Sequence, residues 1–157
     1  MTERDILDRL ARRYCRAYRN GAYRGRRYVY AEHVRRHPNW GQRVLDAMAI
    51  DTWGSGRFGV AGFEVKATRS DWLAELRNPS KAGVFLPYCR AFYLVAASPD
   101  IVRDDLPAGW GLLVPRGRGL TEVRPSLLLR EPEPMPPELL AGLARAAVNT
   151  AHRVGPP

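Results

Sequence analysis

The hydrophobic positions of the chain follow two different periods. Apolar residues recur every three or four positions over residues 3–19 and again over 138–153, which predicts an amphipathic helix near each end. Between these helices lie short apolar stretches bounded by glycine, proline or polar turn residues, and this pattern is typical of strands. Five strands are predicted in this way: 43–51, 59–67, 91–97, 109–116 and 120–125.

Three further helices are predicted inside the chain. A short helix is expected over residues 30–36, a second begins at Ser70, which can act as an N-cap, and a third covers 79–88. The strands 43–51 and 59–67 are joined through a glycine-rich turn and should pair as a β-hairpin. This order of elements predicts an α/β protein with a mixed central β-sheet flanked by helices.

The predicted domain organisation is simple. The chain has 157 residues, 45% of them hydrophobic, which is enough for a core that needs no disulfide or metal. Residues 1–130 form the expected domain, 131–137 a proline-rich spacer, and 138–157 a C-terminal helix and tail. The sequence has neither an apolar stretch of membrane-spanning length nor a signal-peptide core. We therefore expect a cytoplasmic protein with no membrane partner, and a homodimer stays open.

The charge of the chain favours a polyanionic partner. The net charge is +9 at pH 7, and the basic residues are 23 arginines and two lysines. A bias of this size favours nucleic acid, although a subunit that meets an acidic protein is an alternative. Eleven basic residues lie before residue 37, so this end is the expected phosphate-facing surface. Its candidate DNA contacts are Arg12, Arg13, Arg16, Arg26 and Arg27.

One predicted strand carries two opposite charges inside an apolar run. In the stretch GFEVKA, Glu64 and Lys66 point to the same face of the strand, while Val65 points to the other. If Asp46 lies on the neighbouring strand of the hairpin, two carboxylates meet beside one ammonium. Mg²⁺ is commonly held by one or two carboxylates together with water and phosphate oxygens. The pattern therefore predicts a metal site that acts on a phosphodiester.

Alternatives exist for each part of this site. Asp51 is the rival second carboxylate, but it faces the other side of a regular strand, so Asp46 is preferred. Glu32 adds a third carboxylate or is a solvated residue of the short helix. Without a metal, Glu64 and Lys66 would form a buried salt bridge, which is often no more stabilising than a hydrophobic pair.

The order Asp46, then Glu64-Val65-Lys66 on the next strand, resembles the PD-(D/E)XK nuclease motif, with Leu45 in place of the proline. The resemblance implies a restriction-endonuclease-like core in which Asp46, Glu64 and the Val65 carbonyl bind Mg²⁺ or Mn²⁺. Lys66 would then assist the attacking water. The same resemblance matches Glu32 to a glutamate that the first core helix often supplies.

A more specific similarity covers residues 62–114, which resemble the MmcB-like group of DNA-repair nucleases. That group carries an E-x-K strand followed by a Ser/Asp-aromatic helix start, although Arg90 stands where an acidic residue is expected. Similar nucleases place the helix face of Lys81 and Tyr88 near the scissile phosphate. Arg69 follows the strand at a helix N-terminus, where it could donate to a phosphate, although plain capping of the helix by Ser70 is the preferred interpretation of this segment. These three residues complete the expected DNA contacts.

The expected function is a Mg²⁺-dependent deoxyribonuclease in DNA repair, recombination or the processing of phage or mobile-element DNA. This fold class serves endonucleases and exonucleases alike. The alternative is a non-catalytic DNA-binding module that keeps the nuclease fold and holds DNA without cutting it.

Overall fold

The structure is a computed structural model that describes residues 1–20, 23–36, 43–78, 80–128 and 130–155. The helices in these ranges are α1 Glu3–Tyr14, α2 Arg69–Arg77, α3 Ser80–Gly83 and α4 Pro137–Val154. The strands are β1 Ala17–Asn20, β2 Tyr23–Arg26, β3 Tyr28–Arg35, β4 Val44–Asp51, β5 Val60–Lys66, β6 Ala91–Ala96, β7 Gly111–Arg116 and β8 Gly119–Arg124.

A six-stranded mixed sheet lies at the centre, with the strands in the order β3-β4-β5-β6-β7-β8. The strands β3, β4 and β5 are antiparallel neighbours, β5, β6 and β7 are parallel, and β8 returns antiparallel to β7. The connection from β5 to β6 contains α2, as the crossover between parallel strands requires. The predicted α/β class, with a mixed sheet flanked by helices, is confirmed.

The two faces of the sheet bury different helices. Ile6 and Leu10 of α1 are buried in one core with Phe63 and Val65 of β5. Trp72 of α2 belongs to a second core on the other side. The start of α1 is a capping box, because Thr2 and Asp5 each bind the other's backbone N–H. Alternation along β5 therefore places Glu64 and Lys66 on the face that α2 covers.

The C-terminal helix α4 runs along the edge strand β3. A Cβ at Gly142 would lie only 1.9 Å from the carbonyl oxygen of Arg35, so this close approach requires glycine. Further along α4, the Thr150 hydroxyl accepts a hydrogen bond from the Glu32 backbone N–H at 2.9 Å. The helix thus covers a sheet edge that would otherwise be open to pairing with another chain. None of the helices in the described ranges is long and apolar enough to span a membrane.

The predicted helix over residues 30–36 is wrong. Residues Tyr28–Arg35 form β3, which pairs with β4 from Tyr28 opposite Asp51 to Arg35 opposite Val44. The segment is rich in tyrosine and valine, which fit a pleated surface better than a helix. Pairing with β4 therefore decides its conformation.

Two other predicted helices are shorter than expected. The helix α1 ends at Tyr14, and residues 17–20 form β1, which pairs with β2 in a separate two-stranded ribbon. The helix α3 ends at Gly83, and a 3-10 turn covers Leu86–Tyr88. Pro87 lies within that turn and cannot donate the N–H that a continuing α-helix would need.

Candidate functional site

The strands β4 and β5 separate where the predicted acidic residues lie. Their paired residues end at Ala47 opposite Phe63. In the alternation of an antiparallel ladder, the Val65 N–H would next bond the carbonyl of Leu45. It donates instead to Oδ2 of Asp46 at 2.7 Å. The Asp46 carboxylate thus accepts the hydrogen bond that the Leu45 carbonyl would otherwise accept, at the point where the two strands separate.

Lys66 lies between two carboxylates on the α2 side of the sheet. Its Nζ donates to Oε1 of Glu64 at 2.6 Å and lies 3.1 Å from Oε2 of Glu75 on α2. Glu64 is 0% exposed and Lys66 is 8% exposed. Charges removed from water to this extent are tolerated only when they are paired. The three side chains therefore depend on one another.

The same neighbours determine the protonation of Lys66. Burial alone would lower the pKa of Lys66, because it disfavours the charged form. The charge and hydrogen bond of Glu64, followed by the charges of Glu75 and Asp46, outweigh burial and raise the pKa above its ordinary value. Lys66 is therefore an ammonium at neutral pH. It can orient a water or offset negative charge, but it cannot accept a proton as a general base.

Lys66 and Glu75 line an open pocket of about 420 Å³. Asp71 of α2 and Glu3 from the start of α1 line the same pocket. Three carboxylates thus face it together with one ammonium. A pocket of this composition attracts cations and repels a bare phosphate.

The donor set fits Mg²⁺ or Mn²⁺. The register of β4 and β5, continued by one residue, places Asp46 opposite Glu64. The carbonyl of Val65 lies on the same edge of β5 as its N–H, so it faces the gap beside Asp46. Oxygen donors of this kind suit Mg²⁺, which usually takes one or two carboxylates and keeps several waters. Within the described ranges, no group of three or more His, Cys, Asp or Glu side chains could hold a metal by itself.

Glu32 does not join this site. It lies on β3 opposite Ala47, and its carboxylate accepts hydrogen bonds from Arg4 of α1 at 2.8 and 2.9 Å. Arg153 of α4 donates to the same carboxylate. The expected third carboxylate therefore fastens two helices to the edge strand. The matching of Glu32 to a helical glutamate also does not apply, because Glu32 is on a strand.

Asp51, the alternative second carboxylate, is bound by Arg27. The guanidinium of Arg27 donates to Oδ2 of Asp51 at 2.6 Å, and the Trp53 N–H donates to Oδ1 at 3.0 Å. The hydrogen bond from Arg27 holds the pKa of Asp51 below its usual range. Asp51 thus fixes the turn after β4 and does not compete with Asp46.

The expected DNA contacts divide into two groups. Arg12, Arg13 and Arg16 are exposed at the end of α1 and just beyond it. Arg26 donates to the carbonyl of Gly155, and Arg27 is held by Asp51. The second group therefore binds the protein itself, as Arg13 also does by donating to the carbonyl of Leu120 at 3.4 Å.

The remaining expected contacts lie after β5. Arg69 pairs with Asp105 and donates to the carbonyl of Ile101 at 2.8 Å. Tyr88 is half-buried, with the guanidinium of Arg36 at 6.0 Å from its ring centroid. The side chain of Lys81 lies outside the described residues.

Glu75 is the site residue that sequence reasoning missed. It follows Asp71 by four positions, so both lie on one face of α2. That spacing was the only available signal, because the approach of α2 to β5 depends on tertiary packing.

Comparisons with known proteins support the fold and no more. No protein-family model matches the chain, and no curated protein sequence matches it. A solved structure of a protein of unknown function from Silicibacter pomeroyi is similar, with a TM-score of 0.55 and 21% sequence identity. The similarity covers 82% of this chain and 77% of that protein. At this identity it shows a shared fold, so any function must be inferred from the site.

Proposed function

We propose that the protein is a metal-dependent nuclease that hydrolyses phosphodiester bonds in DNA, with a PD-(D/E)XK site formed by Asp46, Glu64 and Lys66. One observation carries the proposal. At the point where β4 and β5 separate, Asp46 binds the Val65 N–H at 2.7 Å while Glu64 binds Lys66 at 2.6 Å. Two carboxylates beside an ammonium on adjoining strands suit a metal-assisted hydrolysis, in which the carboxylates would hold the cation.

Each residue of the site has a distinct task in this proposal. Bound by Asp46, Glu64 and the Val65 carbonyl, Mg²⁺ or Mn²⁺ would polarise a phosphoryl oxygen and lower the pKa of a water. Lys66, kept protonated by its neighbours, orients the water or offsets the charge that develops on the phosphate. Glu75 is a positioning residue that holds the Lys66 ammonium from the α2 side.

The electrostatics of the pocket support a cation in the reaction. The pocket beside Lys66 is lined by three carboxylates and one ammonium, so its walls repel a phosphodiester. A divalent cation held by Asp46, Glu64 and the Val65 carbonyl would offset this negative charge, so that a phosphodiester could approach Lys66. Without a cation, the same walls would hold DNA away from Lys66.

Cleavage of plasmid and single-stranded DNA in Mg²⁺, Mn²⁺ or EDTA tests the proposal. We expect activity with either metal, its loss in EDTA, and its loss in the Asp46→Asn and Glu64→Gln variants. The matched control is Asp104→Asn, which removes a carboxylate from an exposed loop and should leave activity unchanged. Cleavage that persists in Lys66→Ala would show that the assigned mechanism is wrong.

The second candidate is a DNA-binding module that keeps the fold without cutting. The observation that favours it is the absence, among the described side chains, of a group of three metal ligands. In that case DNA binding should survive Asp46→Asn, and no divalent ion should give cleavage.

A further inference from the structure

A second cavity, the β3–α4 cleft, lies between the edge strand β3 and the helix α4. Its volume is about 670 Å³, and five arginines and two glutamates contribute to its lining. The cleft therefore has an excess of positive charge, in contrast to the acidic pocket beside Lys66. A concave basic surface concentrates polyanions more strongly than the same charges on a flat one.

Three of the five arginines hold the walls of the cleft. Arg4 and Arg153 both bind Glu32 on β3, and Arg36 pairs with Glu138 of α4 at 3.2 Å. These pairs use both glutamates of the cleft. They fasten α1, β3 and α4 together and leave the remaining positive charge for a ligand.

The other two arginines, Arg35 of β3 and Arg145 of α4, carry that charge. Both are exposed, and in the part of the chain that the structure describes neither makes an ion pair or a side-chain hydrogen bond. Gly142 sets their proximity, because it brings the α4 backbone against the Arg35 carbonyl, and Arg145 follows three residues later. Residues three apart share one face of a helix, so Arg145 also faces the cleft.

The cleft and the Lys66 pocket are neighbours across the start of α1. Arg4 lines the cleft, and the preceding residue, Glu3, lines the pocket. A polymer lying in the cleft could therefore reach Lys66 by passing the first turn of α1. This placement defines a path from the cleft to the Lys66 pocket.

We propose that the β3–α4 cleft binds the phosphate backbone of duplex DNA through Arg35 and Arg145 and leads one strand to the Lys66 pocket. The choice of DNA as ligand rests on the proposed function. The charge, shape and position of the cleft do not depend on the proposed function. The main contact surface then lies at the β3 edge of the sheet and not on the exposed arginines near the end of α1.

Fluorescence anisotropy of a labelled DNA duplex in EDTA tests the cleft without cleavage. Each phosphate contact contributes a salt slope of about 0.9, so at about 0.1 M salt its loss weakens binding about eightfold. The Arg35→Ala/Arg145→Ala variant should bind about sixty-fold more weakly, with a slope lower by about 1.8. The control Arg118→Ala/Arg124→Ala removes the same charge at the opposite edge of the sheet and should bind within about threefold of the wild type.

The outcomes separate the cleft from the nuclease. The proposal that the cleft binds DNA would be overturned by any of three results: equal weakening of DNA binding in both double variants, no weakening in either, or no DNA binding by the wild type. If the wild type cleaves DNA but its DNA binding does not depend on Arg35 and Arg145, the proposed nuclease activity is supported and the proposed role of the cleft is wrong. Selective loss of binding in a protein that no metal activates would support the cleft and contradict the nuclease. An Arg35→Gln/Arg145→Gln variant with unchanged thermal unfolding should reproduce the loss and exclude misfolding.

Discussion

Removal of the Lys66 ammonium tests the buried charge cluster most sharply. In Lys66→Met, the fully buried Glu64 and the half-buried Glu75 both lose the ammonium that they contact. Breaking a buried ion pair by removing one partner costs about 3–5 kcal/mol, because a charge stays out of water uncompensated. In a domain of this size 1 kcal/mol shifts the melting temperature by about 2–4 °C, so we expect a drop of about 6–20 °C.

Thermal unfolding at neutral pH, followed by circular dichroism, provides the assay. The double variant Lys66→Met/Glu64→Gln removes the ammonium together with the fully buried carboxylate and leaves the charge of the half-buried Glu75. It should recover most of the loss, because the neutral pair that replaces Lys66 and Glu64 needs no compensation. The control Glu131→Gln breaks an ion pair whose glutamate side chain is 76% exposed, and it should cost less than about 1 kcal/mol. A Lys66→Met melting temperature within about 2 °C of the wild type would refute the buried cluster.

Three further predictions concern the proposed metal ligands, the stability of the protein at low pH, and the helix that lines the cleft. Asp46→Asn keeps an oxygen that can accept from the Val65 N–H, so it should lower cleavage about a hundredfold or more while the melting temperature changes little; equal losses of activity and stability would argue against a metal-binding role. Arg69 holds the pKa of Asp105 at about 2, below the ordinary 3.8. The stability that Asp105 contributes is therefore present above pH 3.8 and lost as the pH falls through about 2. Urea unfolding of the wild type and of Asp105→Asn should converge over that window, and a constant difference would contradict the pairing. Gly142→Ala forces a Cβ against the Arg35 carbonyl and should cost about 1–3 kcal/mol with weaker DNA binding, whereas a neutral result would mean that α4 does not lie this close to β3.

The fold was predictable where sequence pattern and tertiary structure agree. The strands over 43–51 and 59–67 are apolar and bounded by turn residues, and both exist within one or two residues of the expected limits. The prediction of a helix over residues 30–36 was wrong. This segment is a strand because it pairs with β4 on one side and is covered by α4 on the other. The periodicity of one sequence shows neither the pairing with β4 nor the coverage by α4.

The candidate site was predictable for the residues that share a strand face or a strand pair. The spacing of Glu64 and Lys66 and the pairing of β4 with β5 placed Asp46 beside them. Glu75 could not be predicted, since its contact with Lys66 depends on how α2 lies on the sheet. Glu32 was misplaced because its binding to Arg4 and Arg153 depends on two helices that are distant in sequence.

The proposed metal site is tested most directly by a crystal soaked in Mn²⁺ and measured for anomalous scattering. We expect a peak between Asp46 and Glu64, about 2.1 Å from an oxygen of each and from the Val65 carbonyl. An ordered Asp46–Glu64 pair with no peak between them, or with Mn²⁺ bound only elsewhere on the chain, would contradict a metal site formed by these residues.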